Sequence, residues 1–303
     1  MTTALIQSFV LFALMFIGYI LGKLKVITNF KELSRLVVDL TLPALILVSM
    51  QKEYSHDTAS RAFSMLAISG AVYAGALLLS YFLPLLYKKV TEQERGVHRF
   101  AMSFSNVGFM GFPIAAAFLG SESLFDVSMY NIPFQILAFS IGVLFIAPHK
   151  SKKSILSKKL LVNPAIMSAL VGFILFLLQI KIPSPLFTVC SMLGETTTPL
   201  AMLIIGGILS QSNIKQALSN PHIWLTTLYR LALFPLMLYG ICILLGIKAY
   251  AVPVLIAAMP VAANTSMLAE VYGGDSAVAS GLVMLSTLLS TVTIPLIAIL
   301  LTA

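Results

Sequence analysis

Charge is what this 303-residue chain has least of. Only 10% of its residues are charged, against about 25% in an ordinary soluble domain. So little charge cannot cover a water-facing surface, and a soluble globular domain is excluded. Cysteine is nearly missing. Cys190 and Cys242 lie far apart, each in an apolar stretch, so they form no disulfide framework or metal motif and read as packing residues. Catalytic motifs are also missing. The chain has no GxSxG elbow, no phosphate-binding GxxxxGK[ST] loop and no HExxH pair. The histidines His56, His98, His149 and His222 fall at expected helix ends or loops, without a catalytic or metal pattern. No enzyme, metal centre or cofactor is expected. The weak period-two alternation of an outer-membrane barrel is missing too.

What remains is apolar: 59% of the residues, in blocks of roughly 20, the length that crosses a bilayer. Ten such segments are expected, over residues 3–21, 33–50, 62–87, 100–119, 127–147, 163–180, 186–209, 222–245, 249–269 and 276–301. The fold class is therefore an all-α polytopic membrane protein. The first block has no basic stretch before it and no small-residue cleavage site after it, so it is expected to stay as a transmembrane helix.

The net charge of +8 sits in short loops, where it sets topology rather than binding nucleic acid. Lys23, Lys25, Lys31 and Arg35 follow the first segment. Lys88, Lys89, Arg95 and Arg99 follow the third, and Lys150, Lys152, Lys153, Lys158 and Lys159 follow the fifth. The opposite side holds only Lys52, Arg61, Lys181 and Lys248. The basic side is expected to be cytoplasmic, in a multi-pass protein of the plasma (inner) membrane with both termini extracytoplasmic.

Five segments before the lysine-rich connector and five after it give halves of opposite orientation, a 5+5 inverted repeat. The expected division is 1–147, a basic cytoplasmic connector at 148–163, and 164–303. An internal echo accompanies it. Asp39-Leu40-Thr41-Leu42-Pro43 in the second segment and Glu195-Thr196-Thr197-Thr198-Pro199 in the seventh each carry a carboxylate, a threonine two residues on and a proline four on.

Two segments are interrupted. The fourth carries Ser105-Asn106-Val107-Gly108-Phe109-Met110-Gly111-Phe112-Pro113, and the ninth carries Met259-Pro260-Val261-Ala262-Ala263-Asn264-Thr265-Ser266. Glycine and proline leave backbone groups unpaired, which lipid does not tolerate unless they face protein or a water-filled cavity. Interrupted segments in corresponding places of two halves point to a transporter's binding site. A half-helix that starts in mid-membrane offers free N–H groups and a positive dipole end to an anion. Asn106 and Asn264 add both donors and acceptors. Ser105, Gly108, Pro113, Pro260 and Thr265 complete the expected substrate-binding set. Asp39, Glu195 and Arg230 are ionisable residues inside apolar segments and are candidates for ion coupling or pairing. Glu195 is expected to lie deep. Arg230 could meet Glu195, a substrate carboxylate, or purely structural partners.

These stretches resemble the auxin efflux carrier family, which includes bacterial permeases for malate and malonate. Ser105–Pro113 is similar to its helix 4 signature and Met259–Asn264 to its helix 9 pattern; Leu42-Pro43-Ala44 and Thr198-Pro199-Leu200 also fit. The resemblance implies a scaffold of helices 1, 2, 6 and 7 and a transport domain of helices 3–5 and 8–10. It implies that helices 4 and 9 cross at breaks around Pro113 and Pro260, with Asn106 and Asn264 near the substrate. It also implies elevator-type alternating access within a homodimer. The long hydrophilic loop of many plant members is missing, so a bacterial permease is the natural comparison. The expected function is secondary active transport of a small carboxylate-bearing solute, with coupling to H+ or Na+ undecided. A sodium/bile-acid-like symporter and a non-transporting sensor or channel are the alternatives. The topology makes a direct prediction. In intact cells Lys152 and Lys153 will be shielded from an impermeant amine reagent and will label only after permeabilisation; labelling from outside would reverse the orientation.

Overall fold

A computed structural model describes residues 2–147, 163–211 and 214–302. The basic connector expected at 148–163, with Lys152 and Lys153, lies outside the described residues except for Asn163. The described residues are helical apart from turns and one isolated antiparallel bridge. In chain order the helices are α1 (Thr2–Lys23), α2 (Phe30–Leu36), α3 (Leu42–Ser49), α4 (His56–Phe82), α5 (Glu92–Ser103), α6 (Phe112–Leu119), α7 (Ser123–Leu137), α8 (Val143–Ile146) and α9 (Pro164–Leu177). They continue with α10 (Ser184–Glu195), α11 (Thr197–Gln211), α12 (Ile214–Ser219), α13 (Pro221–Leu228), α14 (Phe234–Leu244), α15 (Ala251–Ala257), α16 (Thr265–Tyr272) and α17 (Ser276–Thr302).

Five helical stretches among these are long and apolar enough to cross a membrane: His56–Leu86, Ser123–Ile146, Ser184–Gln211, Pro221–Leu244 and Ser276–Leu301. Shorter apolar helices cover Phe9–Lys23, Val107–Leu119 and Pro164–Leu177. Their outer faces carry large exposed apolar side chains such as Phe9, Phe16, Leu86, Val292 and Leu244. Exposed apolar patches of that size belong to a surface that lipid covers.

Asparagine followed by proline starts two of the helices. Asn163 accepts from the Ala165 and Ile166 amides at 2.9 and 3.3 Å, and Asn220 accepts from the His222 amide at 2.9 Å. Each cap satisfies donors that the first turn leaves open and contributes about 1 kcal/mol. Pro164 and Pro221 then occupy the first helical position, where a missing N–H costs nothing.

Three prolines farther along the chain follow wide turns. π-helical turns at Val37–Thr41, Val107–Gly111 and Tyr229–Leu233 each end two residues before a proline, at Pro43, Pro113 and Pro235. Proline cannot bond the carbonyl four residues back and its ring collides with it. One extra residue in the preceding turn moves that carbonyl aside and lets the helix continue. Pro113 therefore does not break its segment. The interruption lies upstream, at Phe104–Asn106, where the chain is extended between α5 and the turn. The second interruption spans residues 258–264 and includes Pro260, as expected.

The chain forms two compact units. One gathers Met1–Ile68, Gly108–Ile132 and Lys158–Gln211. Its longest contact is α1 against α11, closed by small residues as membrane helix pairs are. A Cβ on Gly206 would stand 1.8 Å from the Met15 carbonyl oxygen, and one on Gly18 would stand 2.1 Å from that of Leu203. Here α3 packs between α9 and α10, with Gly172 under Met50 and Gly194 under Leu45. The other unit gathers Ser69–Val107, Pro133–Ser157 and Ser212–Ala303. Its core includes Ala76, Met102, Tyr229, Phe234, Cys242 and Ala257. Cys242 is buried and Cys190 half-buried, both as free thiols.

The glycine contacts separate two substitutions. Gly206→Val will strongly reduce the yield of monodisperse protein in detergent, because backbone on the facing helix cannot yield. Gly75→Ala, whose Cβ meets nothing within 4 Å, will leave it unchanged or raise stability by about 0.5–1 kcal/mol. Equal behaviour of the two would contradict the close packing.

Candidate functional site

The two interruptions meet inside one unit. The Asn106 amide donates to the Pro260 carbonyl at 2.8 Å, and the Ala262 amide donates to the Phe104 carbonyl at 3.2 Å. Ser105 and Val261 thus form the isolated antiparallel bridge. Neighbouring groups are paired as well. The Val261 amide donates to Ser286 Oγ at 3.1 Å. The Ala262 carbonyl accepts from the Thr265 amide at 3.0 Å and from Thr265 Oγ1 at 2.5 Å. The breaks therefore keep their backbone bonded although neither is helical there, which is the condition for irregular backbone at membrane depth.

The carbonyls at the helix ends find an unusual donor. Arg230 is 1% exposed and sits in the turn between α13 and α14. Its Nη1 donates to the Met102 carbonyl at 3.1 Å, near the end of α5. Nη2 donates to the Ala257 carbonyl, the last residue of α15, at 3.0 Å. Nε donates to the Met259 carbonyl at 3.2 Å. The Phe234 ring centroid lies 5.4 Å from the guanidinium carbon. A guanidinium thus joins the C-terminal ends of both half-helices.

Of the expected substrate-binding residues, Ser105, Asn106, Pro260, Asn264 and Thr265 fall together in this unit. Asn106 is 3% exposed and Ser105 1%. The Ser105 hydroxyl is one of the buried polar atoms without a protein partner. Asn264 precedes α16 and is half-buried, and its side chain makes no capping bond to that helix. Its amide is left for another partner. Gly108 and Pro113 belong to the other unit, where Gly108 stands over Leu42.

Asp39 and Glu195 also lie in that other unit, both exposed. Glu195 ends α10 and accepts from Ser191 Oγ at 3.2 Å. The echo noted in the sequence has a structural counterpart. In both copies the carboxylate is exposed, while Thr41 and Thr197 are buried with hydroxyls that have no protein partner.

The sequence profile of a family described as "Membrane transport protein" matches residues 3–298. An uncharacterized transporter of Methanothermobacter thermautotrophicus is 27% identical over 291 residues, covering 93% of each chain. A Rhizobium meliloti protein carrying the name "Putative malonate transporter" is 25% identical over 308 residues, covering 96% of this chain and 93% of its own.

One polar cluster escaped the reading of the sequence. His98, expected at a helix end, is fully buried within α5. The helix starts eight residues before the apolar segment expected from residue 100, because Thr91 caps it and accepts from the Glu94 amide at 3.1 Å. Thr91-Glu92-Gln93-Glu94 is a capping-box pattern, and that signal could have placed His98 in a helix. The His98 Nδ1 is 2.7 Å from Thr226 Oγ1, which is 2.9 Å from the Tyr87 hydroxyl. Nε2 lies 3.6 Å from Glu94 Oε1, which accepts from Asn220 Nδ2 at 3.1 Å.

Burial pushes the His98 imidazole below its ordinary range, against the pull of Glu94. The imidazole, then the Asn220 amide, holds the Glu94 carboxyl below the ordinary carboxylate range, against partial burial. On acidification the unfolded chain therefore protonates its imidazole before the folded one does, and stability is lost as pH falls below about 6.5. Glu94 adds a loss only at lower pH, through its own depressed value. The melting temperature will fall between pH of about 7 and about 5, and His98→Gln will flatten that slope. An unchanged slope would remove His98 as the cause.

Proposed function

The chain belongs to the membrane transport protein family, the auxin efflux carrier family of the sequence resemblance, and we propose that it moves a small dicarboxylate such as malonate by alternating access. The substrate class comes from the name of the Rhizobium meliloti relative and from the chemistry of the broken segments. The single observation that carries the reading is the pairing of two interrupted segments through Asn106 and Pro260 and through Ala262 and Phe104. Beside that pairing α16 begins: the Ala262 carbonyl holds its Thr265 amide, and the N–H groups that follow in the first turn form the positive end of a dipole. Asn264, at the entrance to α16, and Asn106, at the bridge, supply side-chain amides to a carboxylate. Ser105, Thr265 and Pro260 shape the same place.

In this reading the protein is a multi-pass secondary transporter of the plasma membrane. It has ten spans in a 5+5 inverted repeat and extracytoplasmic termini. Helices 1, 2, 6 and 7 are a scaffold that dimerises, and the other six carry the substrate by an elevator movement. The positive-inside count and the paired carboxylate–threonine–proline echoes support this arrangement.

Counterflow of labelled malonate in proteoliposomes tests it. The wild type will show saturable counterflow, which a channel does not give. Asn106→Ala and Asn264→Ala will each lower the rate at least about tenfold, the effect of losing one hydrogen bond of about 1.5–3 kcal/mol to a charged group. Both variants will remain folded in the membrane. Near-normal rates in both would overturn the binding site.

A further inference from the structure

We propose that Arg230 is a built-in substitute for a coupling metal cation, so that transport proceeds without Na+ at the crossing of the broken segments. In transporters with discontinuous helices, unwound carbonyls and half-helix C-terminal ends are where Na+ is coordinated. Here three such carbonyls are already held. Met102 is the penultimate residue of α5, Ala257 closes α15 and Met259 lies in the second break, and all three accept from one guanidinium.

The charges balance. Each helix C-terminus carries the equivalent of roughly half a negative charge. Two ends carry roughly one, and the guanidinium carries one positive charge. Its geometry fits as well, since a planar fork with several fixed donors can reach carbonyls from separate chain segments at once. A Na+ ion would need the same oxygens. Arginine keeps its proton at every physiological pH, so this charge neither leaves nor titrates during a transport cycle. With the negative ends neutralised by a resident cation, the positive end of α16 remains to favour an anion. Arg230 thereby acts as a positioning residue. It holds the two half-helices together and sets the sign of the charge the site accepts, without touching the substrate.

The inference rests on the transport reading for its consequence, but its physical core can be measured without transport. Purified protein is melted in sodium chloride and in choline chloride of equal ionic strength, and malonate counterflow is measured in the same two salts. The wild type will melt at one temperature and exchange malonate at one rate in both. Arg230→Lys, which keeps the charge, will share that indifference to sodium at reduced stability. Arg230→Gln, which empties the carbonyl cluster of charge, will melt a few degrees higher in sodium than in choline. Its counterflow, depressed at least about tenfold in choline, will recover in part in sodium.

A saturable rise of the wild-type melting temperature with sodium, or a wild-type counterflow that requires sodium, would overturn the proposal. So would a monodisperse Arg230→Gln protein equally stable and equally active in both salts. Should Arg230→Gln fail to fold, the wild-type and Arg230→Lys measurements decide. A wild type that is indifferent to sodium in melting and exchanges no malonate sinks the proposed substrate while leaving the role of Arg230 intact.

Discussion

A backbone polar group that leaves a helix inside a membrane must find another partner or cost several kcal/mol. Much of this structure follows from that constraint. At the two interruptions the partners are each other: Asn106 with Pro260, and Ala262 with Phe104. Where backbone alone is insufficient, one serine and one arginine supply the rest, Ser286 to the Val261 amide and Arg230 to three carbonyls. Before Pro43, Pro113 and Pro235 a π-helical turn widens the preceding residues. One rule thus yields two outcomes. A lone proline is absorbed within its helix, whereas a true break is compensated from a distant part of the chain.

That difference explains what the sequence could and could not reveal. Apolar length is local, and most helices agree with the hydrophobic segments to within a few residues. The second break was legible because Pro260 lies inside it. The first lies at the start of the stretch Ser105–Pro113, upstream of the position around Pro113 that the resemblance implies. Residues Phe104–Asn106 contain no proline or glycine, and their extended shape is held by backbone bonds to residues more than 150 positions away. The partners of Arg230 were equally hidden. Its burial deep in an apolar segment marked it as important, but backbone carbonyls carry no sequence signal. Depth along a helix does not say which side of the helix a residue faces, and the Glu195 side chain is exposed. The capping box before His98 was a readable local signal, obscured by the basic residues around it.

Charge scarcity gives each remaining charge a recognisable place. Lys52 pairs with Glu122, Arg61 with Asp126, and Arg95 with Glu92, all near helix ends. Exposed pairs of this kind contribute little, about 0–1 kcal/mol, and they serve mainly to end the apolar stretches. Asp126 differs, being 3% exposed, with Arg61 Nε donating to Oδ2 at 2.9 Å. Arg230 differs more, since three backbone carbonyls accept from its guanidinium.

The bridge at the crossing is written in backbone atoms. Replacing any side chain at positions 104, 260 or 262 leaves its donors and acceptors in place, so those positions can drift in evolution without losing the junction. The exception is directional. A proline at 106 or 262 would delete a donor, whereas the proline already at 260 only accepts. The proline of the second break stands at the corner of the bridge that needs no N–H.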